Sequence, residues 1–144
     1  MSNDDAIRLQ LFHREHGSKS LYPIFQLSPN ELHSNDYQHW LSEKRALVLG
    51  DIEDCHWIKS CSGGYVTEVI FHRDGRLTEY RLFDRFETQG NWKLDNGILK
   101  AEIIKAENRY TFNVIGNANI NIHSAVELKN NELHSYLKLA QVKG

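Results

Sequence analysis

Apolar and polar side chains alternate with a period of two from residue 55 onward, which is the pattern of β-strands with one buried face. Glycine, asparagine and aspartate interrupt this alternation at regular intervals. The pattern predicts strands at residues 55–61, 64–72, 76–84, 88–95, 98–105, 109–116, 120–128 and 132–140. Short, evenly spaced strands of this kind are typical of an antiparallel meander and not of alternating strands and helices.

The turn at Asp74-Gly75 determines which residues of the first hairpin face each other. Aspartate followed by glycine favours a two-residue type I′ turn, because that turn needs positive φ at both central positions. A two-residue turn here pairs Val69 with Tyr80 and directs both to the apolar face. Glu68 and Glu79 then lie on the opposite face, where we expect water and weak cross-strand ion pairs.

The turn at Asn96-Gly97 defines a second hairpin by the same argument. It pairs Trp92 with Ala101 and brings Gly90 beside Ile103. Large residues opposite small ones allow the layers of a core to interdigitate. Gly90 and Ala101 are therefore expected to leave room beside the Trp92 ring.

A third hairpin turns at Asn130-Asn131. A two-residue turn pairs Leu128 with Leu133 and Ser124 with Leu137, so the apolar face again lies on one side. The opposite, polar face then carries His123, Glu127 and His134. We expect these polar side chains to form cross-strand links on the outer surface of the sheet.

All three hairpins are apolar on one side only, and a one-sided antiparallel sheet must cover that side. Eight strands can do so by curling into a closed or half-closed barrel, which also removes free edges. We therefore predict a mainly β fold in which residues 51–144 form an antiparallel meander and residues 1–50 form a helical segment. At 144 residues, we expect both parts to belong to a single domain.

The first fifty residues show helical rather than alternating patterns. Residues 4–16 have apolar positions near helical spacing, and residues 36–45 place Tyr37 and Trp40 on one helical face. Residues 28–31 read Ser-Pro-Asn-Glu, a capping-box sequence that favours the start of a helix. The sequence thus predicts two short amphipathic helices ahead of the meander.

The composition argues against several classes of function. The formal net charge is −2 and the basic residues are scattered, which argues against a nucleic-acid partner. We expect no membrane partner, because no apolar run approaches the length of a membrane span, and the first residues lack signal-peptide features. Cys55 and Cys61 would lie roughly 20 Å apart on one strand, too far for a disulfide unless a loop separates them. We therefore expect a cytoplasmic protein with reduced cysteines.

Strand order, strand length and hairpin turns over residues 55–142 resemble the lipocalin and fatty-acid-binding superfamily of up-and-down barrels, the calycins. The one local motif, Gly90-Asn91-Trp92, is similar to the Gly-x-Trp of lipocalins, although lipocalins carry it on the first strand. The first-strand tryptophan here, Trp57, lacks the glycine, so no lipocalin functional residue is carried over. The resemblance implies a small apolar molecule inside the barrel. A second resemblance, to the α+β cone of the SnoaL-like type, implies helices that close a curved sheet around a pocket.

The favoured hypothesis is therefore a lipocalin-like module that binds a small apolar or aromatic ligand inside the barrel without catalysis. Its expected lining consists of residues on the apolar face: Tyr65, Val69, Tyr80, Trp92, Phe112 and Leu137. One alternative is a structural or protein-interaction module with a packed core and a site on residues 21–27 or on the Tyr37/Trp40 helix face. The other alternative is a small isomerase or hydrolase that uses a histidine and a carboxylate.

Two groups of side chains have residue types suited to chemistry. His13 and His16 lie three residues apart on the predicted first helix, a spacing that can hold a metal ion, but no third ligand is evident. The first hairpin carries Glu68, His72, Glu79 and Arg81, which could transfer protons if water were excluded. The predicted register instead favours a solvent-facing charge ladder. We therefore expect no catalytic residue, no metal and no cofactor.

Overall fold

A computed structural model describes residues 1–16 and 26–142 of the chain. Its helices are α1 (Asn3–Glu15), a 3-10 helix (Pro29–His33), α2 (Asn35–Ser42) and α3 (Leu49–Ile52). Its strands are β1 (Lys44–Arg45), β2 (Cys55–Cys61), β3 (Val66–Phe71), β4 (Arg76–Arg81), β5 (Glu87–Asp95), β6 (Ile98–Lys105), β7 (Asn108–Asn117), β8 (Ile122–Lys129) and β9 (Glu132–Val142). Most of residues 21–27, which were considered as a site for partner binding, lie outside the described residues.

Strands β2 to β9 form a closed, eight-stranded antiparallel barrel. Each of these strands pairs with the next along the chain, and β9 pairs with β2 to complete the closure. The short strand β1 pairs with β7 on the outside of this arrangement. The closed barrel, preceded by an N-terminal helix, confirms the predicted fold class and differs from the alternative α+β cone.

The β3–β4 hairpin has a longer turn than the sequence predicts. The amide of Gly75 donates to the carbonyl oxygen of His72 at 3.1 Å, and the amide of His72 donates to the carbonyl oxygen of Arg76 at 2.8 Å. The loop therefore comprises the three residues 73–75, and Gly75, the last of them, has a φ of +91°. This combination is the three-residue hairpin loop with glycine in the left-handed region.

The extra loop residue shifts the predicted pairing of β3 with β4 by one position. Glu68 pairs with Tyr80, and Val69 pairs with Glu79. A slip of one residue moves every side chain of a strand to the opposite face. The predicted inward position of Tyr80 is therefore wrong, and Glu79 lies inside the barrel.

The β5–β6 hairpin has the predicted register. Asn96 and Gly97 both have positive φ, and Trp92 pairs with Ala101 as expected from a two-residue turn. The expected room beside Gly90 is filled, because Leu77 of the adjacent strand and the backbone of β6 pack directly against this glycine. Gly90 therefore allows two strands to approach closely instead of leaving space for a ligand.

The β8–β9 hairpin begins in the predicted register and then departs from it. The turn residues Asn130 and Asn131 both have positive φ, and Leu128 pairs with Leu133 as expected. A β-bulge next to Leu128 then adds one residue to β9, so that Glu127 pairs with Ser135. Beyond the bulge, Leu137 and Leu139 of β9 point into the barrel as predicted, whereas β8 turns the opposite side inward.

The predicted outer face of β8 is wrong as a result. His123 and Glu127 are buried inside the barrel, whereas Val126 faces outward against the helices. The sequence pattern could not distinguish the two faces, because the helices cover the outside of this wall and make it apolar as well. Both sides of β8 are therefore dry.

Apolar side chains form two cores, one inside the barrel and one between its outer wall and the helices. The interior core contains Trp57, Val69, Phe71, Leu77, Trp92, Leu99, Phe112, Val114, Leu137 and Leu139 with smaller neighbours. The outer core contains Leu9, Leu11 and Phe12 of α1, Tyr37 and Trp40 of α2, and Ile98, Ile115 and Val126 of the wall. Helices α1 and α2 thus cover strands β6 to β8 and leave the barrel interior to the strands.

Helix α3 and the segment before it close one end of the barrel. Leu47 and Ile52 are fully buried in the interior core. The carbonyl oxygen of Asp51 accepts hydrogen bonds from Trp57 Nε1 at 3.2 Å and from Gln141 Nε2 at 3.0 Å. These contacts leave the opposite end, with the β2–β3, β4–β5, β6–β7 and β8–β9 turns, as the open one.

Candidate functional site

The open end of the barrel contains a cavity of about 560 Å³. Its walls are largely apolar and include Cys61, Ile103, Tyr110 and Leu137. Charged side chains from four different strands also reach it, and they come from positions that face the barrel interior. Small-molecule sites typically have volumes of about 300–1,000 Å³ and combine apolar walls with a few convergent polar groups. The cavity has both properties.

Lys59 and Glu79 form a buried ion pair at the inner end of this cavity. Lys59 Nζ lies 2.5 Å from Glu79 Oε2, and the Thr67 hydroxyl donates to the same oxygen at 2.8 Å. The two charged side chains are only 11% and 6% exposed. Burial alone would raise the pKa of Glu79, but the Lys59 charge and the hydrogen bonds from Lys59 and Thr67 outweigh burial and hold this pKa below its ordinary value. Glu79 is therefore a carboxylate at neutral pH.

Glu127 is a second buried carboxylate beside the same lysine. Its Oε1 accepts a hydrogen bond from the Ser135 hydroxyl at 3.0 Å and lies 2.9 Å from His134 Nδ1. Its Oε2 lies 3.9 Å from Lys59 Nζ, which is beyond hydrogen-bond distance. One ammonium thus stands between two carboxylates and lies much closer to Glu79.

The mouth of the cavity combines exposed aromatic side chains with two basic residues. Tyr65 and Phe83 are 75% and 99% exposed, and both line the entrance. Arg81 is neutralised by Asp84, whose two carboxylate oxygens lie 3.1 Å and 2.7 Å from its guanidinium nitrogens. Lys105 also reaches the mouth and is exposed to solvent.

The six residues expected to line a ligand site divide into three groups. Two of them, Tyr65 and Leu137, line the cavity. Three others belong to the packed interior core: Val69, Trp92 and Phe112. Tyr80 lies on the outer surface of β4, where the guanidinium carbon of Arg85 is 4.5 Å from its ring centroid. The interior core is therefore filled around most of the expected site, and the space lies nearer the open end.

The expected charge ladder on the first hairpin is divided between the two faces of the sheet. Glu68 lies on the outer surface and pairs with Arg85 at 2.7 Å, and His72 contacts the Thr78 hydroxyl at 2.8 Å. Glu79 and Arg81 instead line the cavity. The solvent-facing interpretation is thus wrong for Glu79, whereas the Arg81 side chain is 54% exposed at the mouth of the cavity.

Lys59, Glu79 and Glu127 carry the charge at the inner end of the cavity. Sequence reasoning passed over Lys59, assigned Glu79 to a solvent-facing charge ladder and placed Glu127 on an outer face. A signal existed for Lys59, because it follows the buried Trp57 by two positions and therefore shares its inward face. Glu79 and Glu127 had no such signal. Their faces depend on a loop length and on a β-bulge that alternation alone does not indicate.

The two histidines of α1 have other partners than a metal. His13 Nε2 lies 2.8 Å from Glu31 Oε1, and the His16 ring stacks on Phe12 with centroids 4.8 Å apart. Among residues 1–16 and 26–142, no three histidine, cysteine, aspartate or glutamate side chains are grouped so that they could hold a metal ion.

Fold and cavity together define the class of protein as a closed, eight-stranded antiparallel barrel with one accessible, partly charged interior end. Comparisons with protein-family models, with curated protein sequences and with solved structures give no match for this chain. In the part of the chain that the structure describes, none of the helices is long and apolar enough to cross a membrane.

Proposed function

We propose that the protein binds a small molecule with an apolar or aromatic body in the cavity at the open end of the barrel. The observation that carries this proposal is the buried Lys59–Glu79 pair, with Glu127 beside it, at the inner end of an apolar cavity of about 560 Å³. Burying charged groups costs several kcal/mol per ion, and an apolar substitute often gives equal or greater stability. Charges retained at such a cost inside a cavity are more typical of a binding site than of a structural core.

The architecture supports a lipocalin-like role for this site. A closed eight-stranded barrel has an interior just wide enough to be filled by side chains or to hold one small ligand. Here the closed half is filled and the open half is not. We also infer a cytoplasmic location, which Cys55 and Cys61 support as free thiols on one strand.

The interaction-module alternative has less support. Tyr37 and Trp40, the helix face considered for partner binding, are 2% and 7% exposed. Their rings pack against Phe12 of α1, with centroid distances of 5.4 Å and 5.8 Å. This face therefore covers its own barrel.

The two cysteines provide a test of ligand binding in the cavity. Cys61 lines the cavity, whereas Cys55 lies six residues earlier on the same strand, near the closed end, with its sulfur 3.8 Å from the Gly50 carbonyl oxygen. The rate of N-ethylmaleimide addition to Cys61 would be measured in the Cys55→Ser variant, with and without 2-naphthalenemethanol as the probe. At a probe concentration about ten times its Kd, we expect addition to slow roughly tenfold, because only the unoccupied protein reacts.

The Cys61→Ser variant is the matched control, since only Cys55 then reports. Its rate is expected to change little with the probe. Mass spectrometry of the protein under native conditions would show in parallel whether a small molecule co-purifies with it. An unchanged Cys61 rate, with no co-purified molecule, would contradict the proposal.

One observation favours a second candidate, a hydrolase or isomerase. Glu127 and His134 line the same cavity, and a carboxylate beside a histidine can orient a general base. Hydrolysis of 2-naphthyl acetate by the unaltered chain and by the His134→Gln variant would test it. Activity that disappears in the variant supports catalysis, and a rate equal to that in buffer excludes it for this ester.

A further inference from the structure

The charges at the inner end of the cavity do not balance. Lys59 contributes one positive charge, and Glu79 and Glu127 contribute two negative charges if both are ionised. The lysine lies 2.5 Å from Glu79 and 3.9 Å from Glu127, so most of its charge is engaged by Glu79. One ammonium therefore faces two carboxyl groups, and Glu127 is the one that lies farther from it.

The hydrogen bonds of Glu127 show which of its two oxygens is open to a ligand. Oε1 is occupied by the Ser135 hydroxyl and by the His134 ring. Oε2 has no hydrogen-bond donor within reach among the described residues; its closest cation is Lys59 at 3.9 Å. The Glu127 side chain is only 9% exposed, and the residue lines the cavity. No fully buried side-chain oxygen of the described residues lacks a partner, so Oε2 is accessible from the cavity, where a ligand can supply a donor.

We propose, on the basis of the binding function above, that the cavity takes ligands in which a protonated amine is attached to an apolar or aromatic body, and that Glu127 Oε2 accepts the hydrogen bond of the ammonium. The ligand ammonium brings the buried cluster to charge balance, with two cations for two carboxylates. Charge-assisted hydrogen bonds of this kind are the strong ones in proteins. The apolar body then lies along Ile103, Tyr110 and Leu137 toward the mouth.

Ligands with a carboxylate head group fit the same cavity poorly. The cation at the inner end, Lys59, is already engaged by Glu79, and a ligand carboxylate would add a third negative charge there. Arg81 is neutralised by Asp84. Lys105 lies at the exposed mouth, where water and salt screen its charge. The cavity thus discriminates against anions at its inner end.

Three ligands with one aromatic body and different head groups test this inference. Isothermal titration calorimetry at pH 7.5 would compare 2-naphthalenemethylamine, 2-naphthalenemethanol and 2-naphthoate on the unaltered chain. We expect the amine to bind roughly tenfold more tightly than the alcohol, since a hydrogen bond to a charged group is worth about that factor. We expect the carboxylate to bind more weakly than the alcohol.

Glu127→Gln identifies the residue responsible for the preference. In this variant, the amine should lose roughly tenfold in affinity while the alcohol keeps its own. Glu102→Gln is the matched control, because Glu102 lies on the outer surface and pairs with Arg109 at 2.6 Å. It should leave the order and the size of all three affinities unchanged. The ranking on the unaltered chain tests the inference even if Glu127→Gln folds poorly.

The outcomes separate this inference from the binding function. Equal affinity for all three probes, with protection of Cys61, would leave the binding function standing and overturn the amine preference. Tighter binding of 2-naphthoate would overturn it as well. Binding of none of the three probes, with Cys61 unprotected, would contradict both proposals.

Discussion

Lys59 Nζ lies 2.5 Å from Glu79 Oε2 across the interior of the barrel, on strands that are not sequence neighbours. The pair exists because β3 lies between β2 and β4, and Thr67 of β3 completes it with a hydroxyl hydrogen bond. Such a pair contributes little net stability, but removing one partner leaves a buried charge without compensation. We therefore expect the removal of one partner to cost more stability than the removal of both.

Replacing Lys59 with methionine is expected to destabilise the protein by roughly 3–5 kcal/mol, because Glu79 and Glu127 then lose their common cation. Guanidinium chloride unfolding, followed by tryptophan fluorescence, measures the change in the free energy of unfolding. The double variant Lys59→Met/Glu79→Gln should recover a large part of the loss, since one of the two unpaired charges is removed. A single variant as stable as the unaltered chain would show that the pair is not desolvated as the structure indicates.

The hairpin turns show how much of the fold the sequence could predict. Asn96-Gly97 forms a two-residue turn, so both the strands and their pairing follow from the local sequence. Asp74-Gly75 belongs to the same class of dipeptide but forms the end of a three-residue loop. Both loops satisfy the positive φ of the glycine, and the dipeptide alone does not distinguish them. Strand positions were therefore predictable where the pairing was not.

The candidate site could not be predicted because its charged residues lie on strands whose pairing the sequence does not determine. Glu79 and Glu127 are charged residues in strands, and a charged residue is more often exposed than buried. The predicted position of both residues on the outer face of the sheet agreed with this general preference and with two-residue turns. Lys59 stabilises both in the interior, but this compensation involves three different strands and becomes visible only in the assembled barrel.

Glu15 attaches α1 to both α2 and the barrel, and its removal is expected to loosen the helix. Its Oε1 accepts hydrogen bonds from Trp40 Nε1 at 3.0 Å and Lys44 Nζ at 3.1 Å, and its Oε2 accepts one from the Tyr136 hydroxyl. Glu15→Ala should cost roughly 1–3 kcal/mol, because it removes the acceptor of Trp40 Nε1 and leaves Lys44 only Asn117 and Tyr136 only Ser124 as hydrogen-bond partners. Hydrogen exchange should accelerate in α1 and stay slow in the barrel strands.

The control for this prediction is Glu43→Ala, which removes an exposed carboxylate at the end of α2. Glu43 is 56% exposed and pairs with His39, which is 78% exposed. It should change the free energy of unfolding by less than about 0.5 kcal/mol. Equal exchange rates in α1 for the Glu15 and Glu43 variants would show that Glu15 does not attach the helix.

His123 makes the stability of the barrel depend on pH below neutrality. Burial lowers the pKa of His123 below its ordinary value of 6.5, although its contact with Gln141 acts in the opposite direction. The amide of Asn117 donates to its Nδ1 at 2.9 Å, so this nitrogen must be an acceptor and the ring must be neutral. As the pH decreases, the histidine of the unfolded chain is protonated before that of the folded chain. The contribution of His123 to the free energy of unfolding is therefore fully present above pH 6.5 and is lost as the pH falls below it.

Thermal unfolding at pH 7.5 and at pH 5.5 measures this effect. We expect the melting temperature to fall between the two values in the unaltered chain and to fall less in His123→Gln, whose side chain does not titrate. His39→Gln is the control, since His39 is 78% exposed, and it should keep the full decrease. The carboxylates with lowered pKa values, such as Glu15 and Glu79, contribute below pH 4.5 and therefore do not interfere. The same decrease in His123→Gln as in the unaltered chain would rule out His123 as its source.

Gly90 is a position where the barrel leaves no room for a side chain. A Cβ there would collide with the carbonyl oxygen of Glu102 and would lie 3.0 Å from Ile103 Cγ1 and 3.1 Å from Leu77 Cγ. The backbone oxygen cannot move without breaking the β5–β6 ladder, so Gly90→Ala should cost roughly 1–3 kcal/mol or more. Gly50→Ala is the control, because a Cβ at Gly50 has no heavy atom within 4 Å, and alanine favours the helical backbone of α3. Chemical unfolding of both variants should give changes of opposite sign, and a Gly90→Ala variant as stable as Gly50→Ala would contradict the close approach of the two strands.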